Sequence, residues 1–215
     1  MNAQTIYDIF VAAGMTPEGA LAMIGNFGAE AGPNLDPRAV EIGRSKLSNE
    51  QYVAAVDNGL YEFVDGIGFG LAQWTDSKRK RKLLAFAKAS GSSIGDGEMQ
   101  CRFAVKELKE DFHTIWLDLC RSHDLFQLTQ LVCNRYEIPA NKNVGTRYEY
   151  AQRYQTEIKN KVPTSADALL FKPDITVMAI QALMCGNGYD IPITGYKSKE
   201  FFAKLREFTD DMEAC

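Results

Sequence analysis

Residues 16–33 read TPEGALAMIGNFGAEAGP, a stretch that predicts one helix with marked ends. Thr16 offers a hydroxyl group at the N-cap, and Pro17 stands at the first helical position, where its missing N–H has no helical partner. Apolar side chains then recur at helical spacing, at Leu21, Met23, Ile24 and Phe27. The helix is expected to end near Glu30, because a Gly-Pro pair follows and cannot continue it.

Outward from this helix, the chain has helical patterns on both sides. Residues 48–51 have the spacing of a capping box and start a short helix. Residues 58–70 contain four glycines among apolar side chains and suit a small bent hairpin or a loop. An earlier helix carries Ile6, Ile9, Phe10 and Ala13 on one face, and later helices are predicted at 76–90, 97–119, 124–137 and 145–161. The fold class is therefore mainly α.

The composition is that of a globular chain, with 46% hydrophobic and 24% charged residues among 215. Its 24 basic and 28 acidic residues leave a net charge of −4, the wrong sign for binding many phosphates, so no nucleic acid partner is expected. The chain lacks an apolar run of roughly 18 to 20 residues and a signal-peptide pattern at residues 1–8, so we expect cytoplasmic synthesis without membrane insertion. Five widely spaced cysteines are expected to stay mostly reduced.

A polar, proline-containing stretch at 161–165 is the candidate domain boundary. We expect a first domain over residues 1–162 and a second over residues 163–215. So short a second domain has only a marginal core of its own.

Glu30 is the first candidate for chemistry, because it ends the apolar segment GNFGAE of residues 25–30. The negative end of the helix dipole and partial desolvation both disfavour the charged form of a carboxyl group there. A carboxyl group that stays protonated near neutral pH is what general-acid catalysis needs. The same position also fits an exposed helix-end glutamate without catalytic function.

A glycine-rich turn, GIGFGLAQWT over residues 66–75, is the second candidate. Alternating glycines let a backbone approach a ligand closely or bend tightly. Gln73 adds an uncharged donor and acceptor beside the flat apolar face of Trp74, a mixture that suits a sugar or peptide cleft. Glycine turns beside a buried tryptophan are also common, and the segment lacks the patterns of phosphate-binding loops.

An apolar helix that ends in Asn-x-x-x-Glu, followed by a Gly-Phe-Gly-Leu-x-Gln turn, resembles the lysozyme-like superfamily. The segment GFGLAQWT (68–75) together with YEIPAN (136–141) is similar to the phage tail lysozyme family, over roughly residues 3–160. The resemblance implies an α+β lysozyme-like fold with a small glycine-rich hairpin. It also implies bacterial peptidoglycan as the substrate, cleavage between N-acetylmuramic acid and N-acetylglucosamine, and no metal or organic cofactor.

The resemblance implies roles for single residues as well. The catalytic acid of the family carries over to Glu30. Substrate binding carries over to residues of the two motif segments, namely Phe69, Gln73, Trp74, Thr75, Tyr136 and Asn141. Tyr136 corresponds to an aromatic hydroxyl group that lines the cleft.

The second carboxyl group is not identified by any motif. Several acidic residues are near enough in sequence, namely Glu41, Glu62, Asp65 and Asp76. We predict Asp65, because the glycine-rich turn that follows it should point it into the cleft. If no carboxylate lies within about 5 to 9.5 Å of Glu30, simple retaining or inverting hydrolysis lacks its second group. The acetamido group of the substrate would then assist, giving hydrolysis or anhydro-forming transglycosylation.

The C-terminal part of the chain resembles a small three-helix peptidoglycan-binding module, in ITVMAIQAL (175–183), NGY (187–189) and IPITGY (191–196). The resemblance implies wall binding through Gln181, Tyr189 and Tyr196. The alternative is a helical cap that packs on the first domain.

Two other patterns point to less favoured chemistry. Cys120 and His123 are not accompanied by a second Cys/His pair at zinc-finger spacing, which disfavours a zinc site. Cys120 is not predicted to open a helix, as the nucleophile of a Cys/His peptidase should, which disfavours that activity as well. The basic side chains of residues 78–82, KRKRK, are expected to point to all sides of their helix, because they are consecutive. We expect solvated side chains there, with attraction of an anionic glycan as the alternative.

These observations together predict a monomeric phage endolysin of the muramidase type that lyses bacterial walls. The alternatives are a lytic transglycosylase, a non-catalytic wall-docking protein and, less favoured, a Cys/His amidase or endopeptidase. Without an export signal, the protein is expected to reach the wall through a holin-type pore or as part of a virion.

Overall fold

The computed structural model describes residues 1–140, 142–161, 175–186 and 204–209, which are mainly helical. The chain divides into two compact units, unit 1 (Met1–Ile158) and unit 2 (Lys159–Cys215). The predicted boundary at 162/163 falls outside the described residues and stays a prediction. The helices of unit 1 and their continuation are α1 (Ala3–Ala12), α2 (Pro17–Glu30), α3 (Asn49–Asp57), α4 (Ser77–Ala89), α5 (Gly97–Glu110), α6 (His113–Leu119), α7 (Leu125–Val132) and α8 (Val144–Lys161). A π-helical turn at Cys133–Glu137 follows α7, and α9 spans Ile175–Gly186.

Helix α2 is the buried centre of unit 1. Its residues 19–28 are all buried, as expected for a helix that is apolar on every side, and α1, α6 and α7 pack against it. The hydroxyl oxygen of Thr16 accepts a hydrogen bond of 2.9 Å from the N–H of Gly19, and Pro17 opens the helix. The predicted cap, start and end of this helix are confirmed.

Two glycines of α2 allow α8 to pack directly against it. A Cβ atom at Gly25 would lie 2.5 Å from the carbonyl oxygen of Arg147 and 2.7 Å from the Cβ atom of Ala151. A Cβ atom at Gly28 would lie 2.9 Å from the ring of Tyr154. These glycines therefore set how closely α8 approaches the end of α2.

Gly25→Ala is expected to lower the free energy of unfolding by about 1 to 3 kcal/mol, because the backbone of α8 cannot yield as the tip of a side chain would. Urea denaturation of both proteins measures the change. Gly145→Ala is the matched control on α8, where the nearest atom to a new Cβ is 3.3 Å away. It should change stability by less than about 1 kcal/mol. Wild-type stability in Gly25→Ala would contradict the close packing.

Most predicted helices are confirmed, and two of them end differently from expectation. Helix α3 has the predicted capping box, in which Ser48 and Gln51 cap each other. The helix predicted at 97–119 is instead two helices, because the chain leaves helical geometry at Phe112 (φ −128°, ψ 41°). There the ring of Phe112 packs edge-on against Tyr136, with centroids 5.2 Å apart. The helix predicted at 124–137 widens at its end into the π-helical turn.

The glycine-rich segment does not form the predicted hairpin; residues 58–75, all described, are turns and bends. Residues 68–70 pair instead with residues 39–41, through an isolated antiparallel bridge and two flanking backbone hydrogen bonds of 2.8 Å. The ring of Phe69 packs at 5.3 Å on Phe63. The segment therefore packs into the core as a loop, the other form that the sequence allows, and does not form a hairpin.

The described part of unit 2 contains a small apolar core, formed by α9 and the helical segment 204–209. Its members are Val177, Met184 and Phe208, with Ile180 and Leu205 beside them. The rest of the predicted three-helix module, including Tyr189 and Tyr196, lies outside the described residues. None of the helices in the described part is long and apolar enough to cross a membrane.

Candidate active site

Unit 1 contains a cleft of about 1000 Å³. Its walls come mainly from the end of α2 and the loop after it (29–44), from residues 66–79, and from residues 136–140. Four carboxyl groups line it, those of Glu30, Glu41, Asp76 and Glu137.

Glu30 lies at the end of α2, as predicted, and lines the cleft. Arg147 of α8 donates a hydrogen bond of 2.6 Å from Nη2 to Oε1 of Glu30. The two side chains are 5% and 16% exposed, respectively. Asn26 lies one turn earlier on the same face of α2 and accepts from Nη1 of Arg147 at 3.2 Å. Asn26 and Glu30, four residues apart on one face of α2, therefore bind the same arginine.

Glu137 brings a second carboxyl group to the cleft, at the end of the π-helical turn. Its Oε1 atom is buried and has no hydrogen-bond partner among the described residues. Burial, and then the negative charge of Glu30, raise the pKa of Glu137 well above its ordinary value, although Arg79 and Arg147 oppose the shift. The cleft thus combines an ion-paired carboxylate with a carboxyl group whose surroundings favour the neutral form.

The backbone is strained directly after Glu137. Ile138 has a left-handed conformation (φ 49°, ψ 49°), which is rare for a β-branched residue. Pro139 follows, and proline disfavours right-handed helical geometry in the residue before it. Such a conformation costs on the order of 1 to 3 kcal/mol and persists where the surrounding structure requires it. Here it directs residues 137–140 along the wall of the cleft.

Behind this wall, the buried carboxylate of Glu107 gathers several side chains. It accepts hydrogen bonds from Nε1 of Trp74 at 3.2 Å and from the hydroxyl group of Tyr136 at 2.9 Å. Nε and Nη2 of Arg79 each donate to it at 2.7 Å. Trp74 and Tyr136 are both 0% exposed. Trp74 is not part of the cleft wall, which corrects its expected role. Tyr136 lines the cleft as expected, but its hydroxyl group is bound to Glu107 on the inner side of the wall.

The other predicted substrate contacts differ in position. Phe69 is fully buried in the core and is not part of the cleft wall, which corrects its expected role. Gln73 lines the cleft, and its amide nitrogen donates to two backbone carbonyls at 3.0 Å, so its Oε1 is the atom left to face a ligand. Thr75 also lines the cleft, and its hydroxyl group donates to the carbonyl of Gln73 at 2.9 Å. Asn141 lies outside the described residues.

Asp65 is the counter-ion of a buried lysine and not part of the cleft wall. Its carboxylate accepts hydrogen bonds from Nζ of Lys80 at 2.5 Å and from the hydroxyl group of Tyr52 at 2.6 Å. Burial opposes the charge, but these hydrogen bonds outweigh it and hold the pKa of Asp65 below its usual range. The side chain of Lys80 is 0% exposed. The expectation that the glycine-rich turn points Asp65 into the cleft is thereby corrected.

The basic block at 78–82 is only partly solvated. Lys80 points inward to Asp65, and Arg79 points inward to Glu107. The expectation of solvated side chains is therefore wrong for these two cations. Their charges neutralise buried carboxylates that flank the cleft.

The two remaining carboxyl groups of the cleft are held by backbone N–H groups. Asp76 caps α4 by accepting from the N–H groups of Arg79 and Lys78, and these bonds hold its pKa below the usual range. Glu41 accepts a hydrogen bond of 3.0 Å from the N–H of Gly68. Asp76 is thus engaged in capping, and Glu41 is a further candidate for the second carboxyl group.

The Cys120–His123 pattern does not form a reactive pair. Nδ1 of His123 lies 2.9 Å from Oε2 of Glu18. Burial raises the pKa of the Cys120 thiol, whereas a nucleophilic cysteine needs a lowered one. Cys101, Cys120 and Cys133 are free thiols.

Sequence reasoning missed Arg147 and Glu137. Glu137 lies inside the motif YEIPAN, so the carboxyl group before Ile138 was a visible signal. Arg147 is one of several charged residues near the start of α8, and nothing local distinguishes it.

A cleft in which two carboxyl groups have different surroundings is suited to acid–base chemistry on a bound substrate. The model of the phage tail lysozyme family matches residues 1–158. The chain belongs to this family and is a peptidoglycan-lytic phage lysozyme that acts on the bacterial cell wall. No curated protein matches the chain.

Proposed function

We propose that this protein is a muramidase, which hydrolyses the bond between N-acetylmuramic acid and N-acetylglucosamine in bacterial peptidoglycan. The observation that carries the proposal is the position of Glu30 in the cleft, at the end of α2. The cleft volume of about 1000 Å³ is at the upper end of ligand sites. In this proposal Glu30 is the general acid that protonates the glycosidic oxygen, a role for which it must carry a proton despite its ion pair with Arg147.

The second role in hydrolysis requires a charged carboxylate. Glu62 does not line the cleft, Asp65 is committed to Lys80 and Asp76 to the cap of α4, which leaves Glu41 as the candidate of the four. A carboxylate in this role activates water or attacks the sugar directly.

Lytic transglycosylation is the second candidate function. It is favoured by the finding that Asp65, the predicted second carboxyl group, does not line the cleft. In that reaction, the 6-hydroxyl group of the muramic acid displaces the leaving sugar and forms an anhydro ring, so a second charged carboxylate is not needed as a nucleophile.

The masses of the soluble fragments released from purified peptidoglycan test the proposal. Muramidase action is expected to give fragments with reducing N-acetylmuramic acid ends. Fragments one water lighter would support transglycosylation instead. New amino groups without new reducing ends would contradict both and indicate an amidase or endopeptidase.

Residues 163–215 remain a proposed wall-binding module. The buried position of Gln181, which is 1% exposed, argues against this side chain as a direct wall contact. The release of the protein through a pore or from a virion, and its monomeric state, are likewise proposals.

A further inference from the structure

Glu137 stands out because it combines a place in the cleft wall with an unsatisfied carboxyl oxygen, as far as the described residues show. It lines the cleft, and its Oε1 atom is buried without a hydrogen-bond partner among the described residues. Buried polar groups are almost always hydrogen-bonded, and the exceptions mark functional positions or an absent ligand. The carboxyl group at the cleft wall thus has hydrogen-bonding capacity that the described residues do not use, and a ligand in the cleft is placed to use it.

The cations near Glu137 are committed elsewhere. Arg79 of α4 gives its hydrogen bonds to Glu107 and to the carbonyl oxygen of Tyr136. Arg147 of α8 gives its hydrogen bonds to Glu30 and Asn26. Neither guanidinium group donates a hydrogen bond to Oε1 of Glu137. A negative charge on Glu137 would therefore be desolvated without a compensating hydrogen bond from these two arginines.

The charges that face Glu137 come from four helices. Glu30 of α2 and Glu107 of α5 oppose a negative charge on Glu137, whereas Arg79 and Arg147 favour it. Burial is the largest effect, and the net result is a pKa well above the ordinary value. A neutral carboxyl group has an O–H donor, which a carboxylate lacks.

We propose that Glu137 is a further catalytic residue of the cleft, which stays neutral and donates a hydrogen bond to the bound glycan beside Glu30. This inference rests on the proposed glycosidase function. The acceptor is an oxygen of the sugar, either a hydroxyl group or the carbonyl of an acetamido group. In this role Glu137 transfers no proton; it orients the sugar for proton transfer from Glu30.

Two substitutions separate this role from the others. Glu137→Gln keeps the shape, the neutrality and a donor, but it removes the ionisation. It should retain lysis of purified walls within several-fold at neutral pH. At alkaline pH it should exceed the wild-type protein, because wild-type Glu137 loses there the proton with which it donates to the glycan, whereas glutamine keeps its N–H donors. Glu137→Ala removes the donor and should lower the lysis rate by about 10²-fold or more.

Lysis rates across the pH range measure these effects, with circular dichroism to establish folding. Glu110→Gln is the control, because it removes the same charge from the exposed end of α5 and should leave the pH profile unchanged. A loss in Glu137→Gln as deep as in Glu30→Gln would overturn the inference in favour of proton transfer by Glu137. An unchanged alkaline limb in Glu137→Gln, or wild-type lysis in a folded Glu137→Ala protein, would overturn it in favour of a structural role.

A second readout does not depend on activity. Because the folded protein holds the Glu137 proton more tightly than the unfolded chain does, stability falls as the pH rises between the unfolded and the folded pKa. The melting temperature of the wild-type protein should therefore fall relative to that of Glu137→Gln over this range, with a constant difference below it. Parallel melting curves at every pH would contradict a neutral Glu137.

These outcomes are distinguishable from failure of the proposed function. If the wild-type protein releases no glycan fragments, the glycosidase proposal fails whatever Glu137 does. If it releases them and the Glu137 variants follow the wild-type pH profile, only the present inference fails.

Discussion

Glu30→Gln is expected to lower the rate of wall lysis by about 10²- to 10⁴-fold, the range for removal of a general acid. Glutamine keeps the size of the side chain, and its Oε1 can still accept the hydrogen bond from Arg147. The variant should therefore fold, and it should still bind to walls. Turbidity of a wall suspension measures lysis, and sedimentation with the walls measures binding.

Glu18→Gln is the matched control for this experiment. Glu18 lies in the first turn of the same helix, and its carboxylate contacts His123, far along α2 from the cleft. The control should lyse walls at the wild-type rate. Equal lysis by Glu30→Gln would remove Glu30 from the mechanism and favour another lytic centre, whereas wall binding without lysis by the wild-type protein would favour a non-catalytic wall-docking protein.

Asp65→Ala is expected to lower the free energy of unfolding by about 3 to 5 kcal/mol, because it leaves the buried charge of Lys80 without its counter-ion. It also removes the acceptor of the Tyr52 hydroxyl group. Urea denaturation measures the loss. Lysis per folded molecule, assayed at low temperature and without denaturant, should stay close to that of the wild-type protein.

Asp111→Ala is the comparison at an exposed ion pair of the same helix, α4. Asp111 pairs with Lys82 of α4, and the two side chains are 37% and 52% exposed, so its loss should change stability by less than about 1 kcal/mol. The double variant Asp65→Ala/Lys80→Met removes both charges and should recover part of the stability, because an apolar side chain does not need a counter-ion. If Asp65→Ala kept its stability but lost lysis, Asp65 would be the second catalytic carboxylate after all.

Local features of this chain were predicted well, because the physics behind them is local. The cap by Thr16, the capping box from Ser48 and the end of α2 at Glu30 each depend on a few neighbouring residues. The start of α4 after Asp76 is another such case. These signals placed the helix that bears the candidate acid, and with it one side of the cleft.

The rest of the site depends on contacts between distant parts of the chain. Nothing in the basic block indicates that Lys80 contacts Asp65, 15 residues earlier. Five consecutive basic residues point all round a helix, and this pattern predicts solvated side chains. Trp74 and Tyr136 each carry a polar group that could bind a ligand. Both groups, the indole N–H and the phenol hydroxyl, instead donate hydrogen bonds to the buried carboxylate of Glu107. The raised pKa of Glu137 likewise follows from packing that no short pattern encodes.

The pairing of α2 with α8 also bears on how the protein is made. Glu30 and Arg147 are separated by 117 positions, and the residues of the cleft wall after α2 are spread over more than half of unit 1. The other helices that pack on α2 are completed by α7, and α8 follows only after Glu137 and the rest of the described cleft wall. During synthesis, Glu30 is therefore made early, whereas its partner Arg147 is made after every described residue of the cleft wall, so lytic competence is among the last properties that the growing chain acquires.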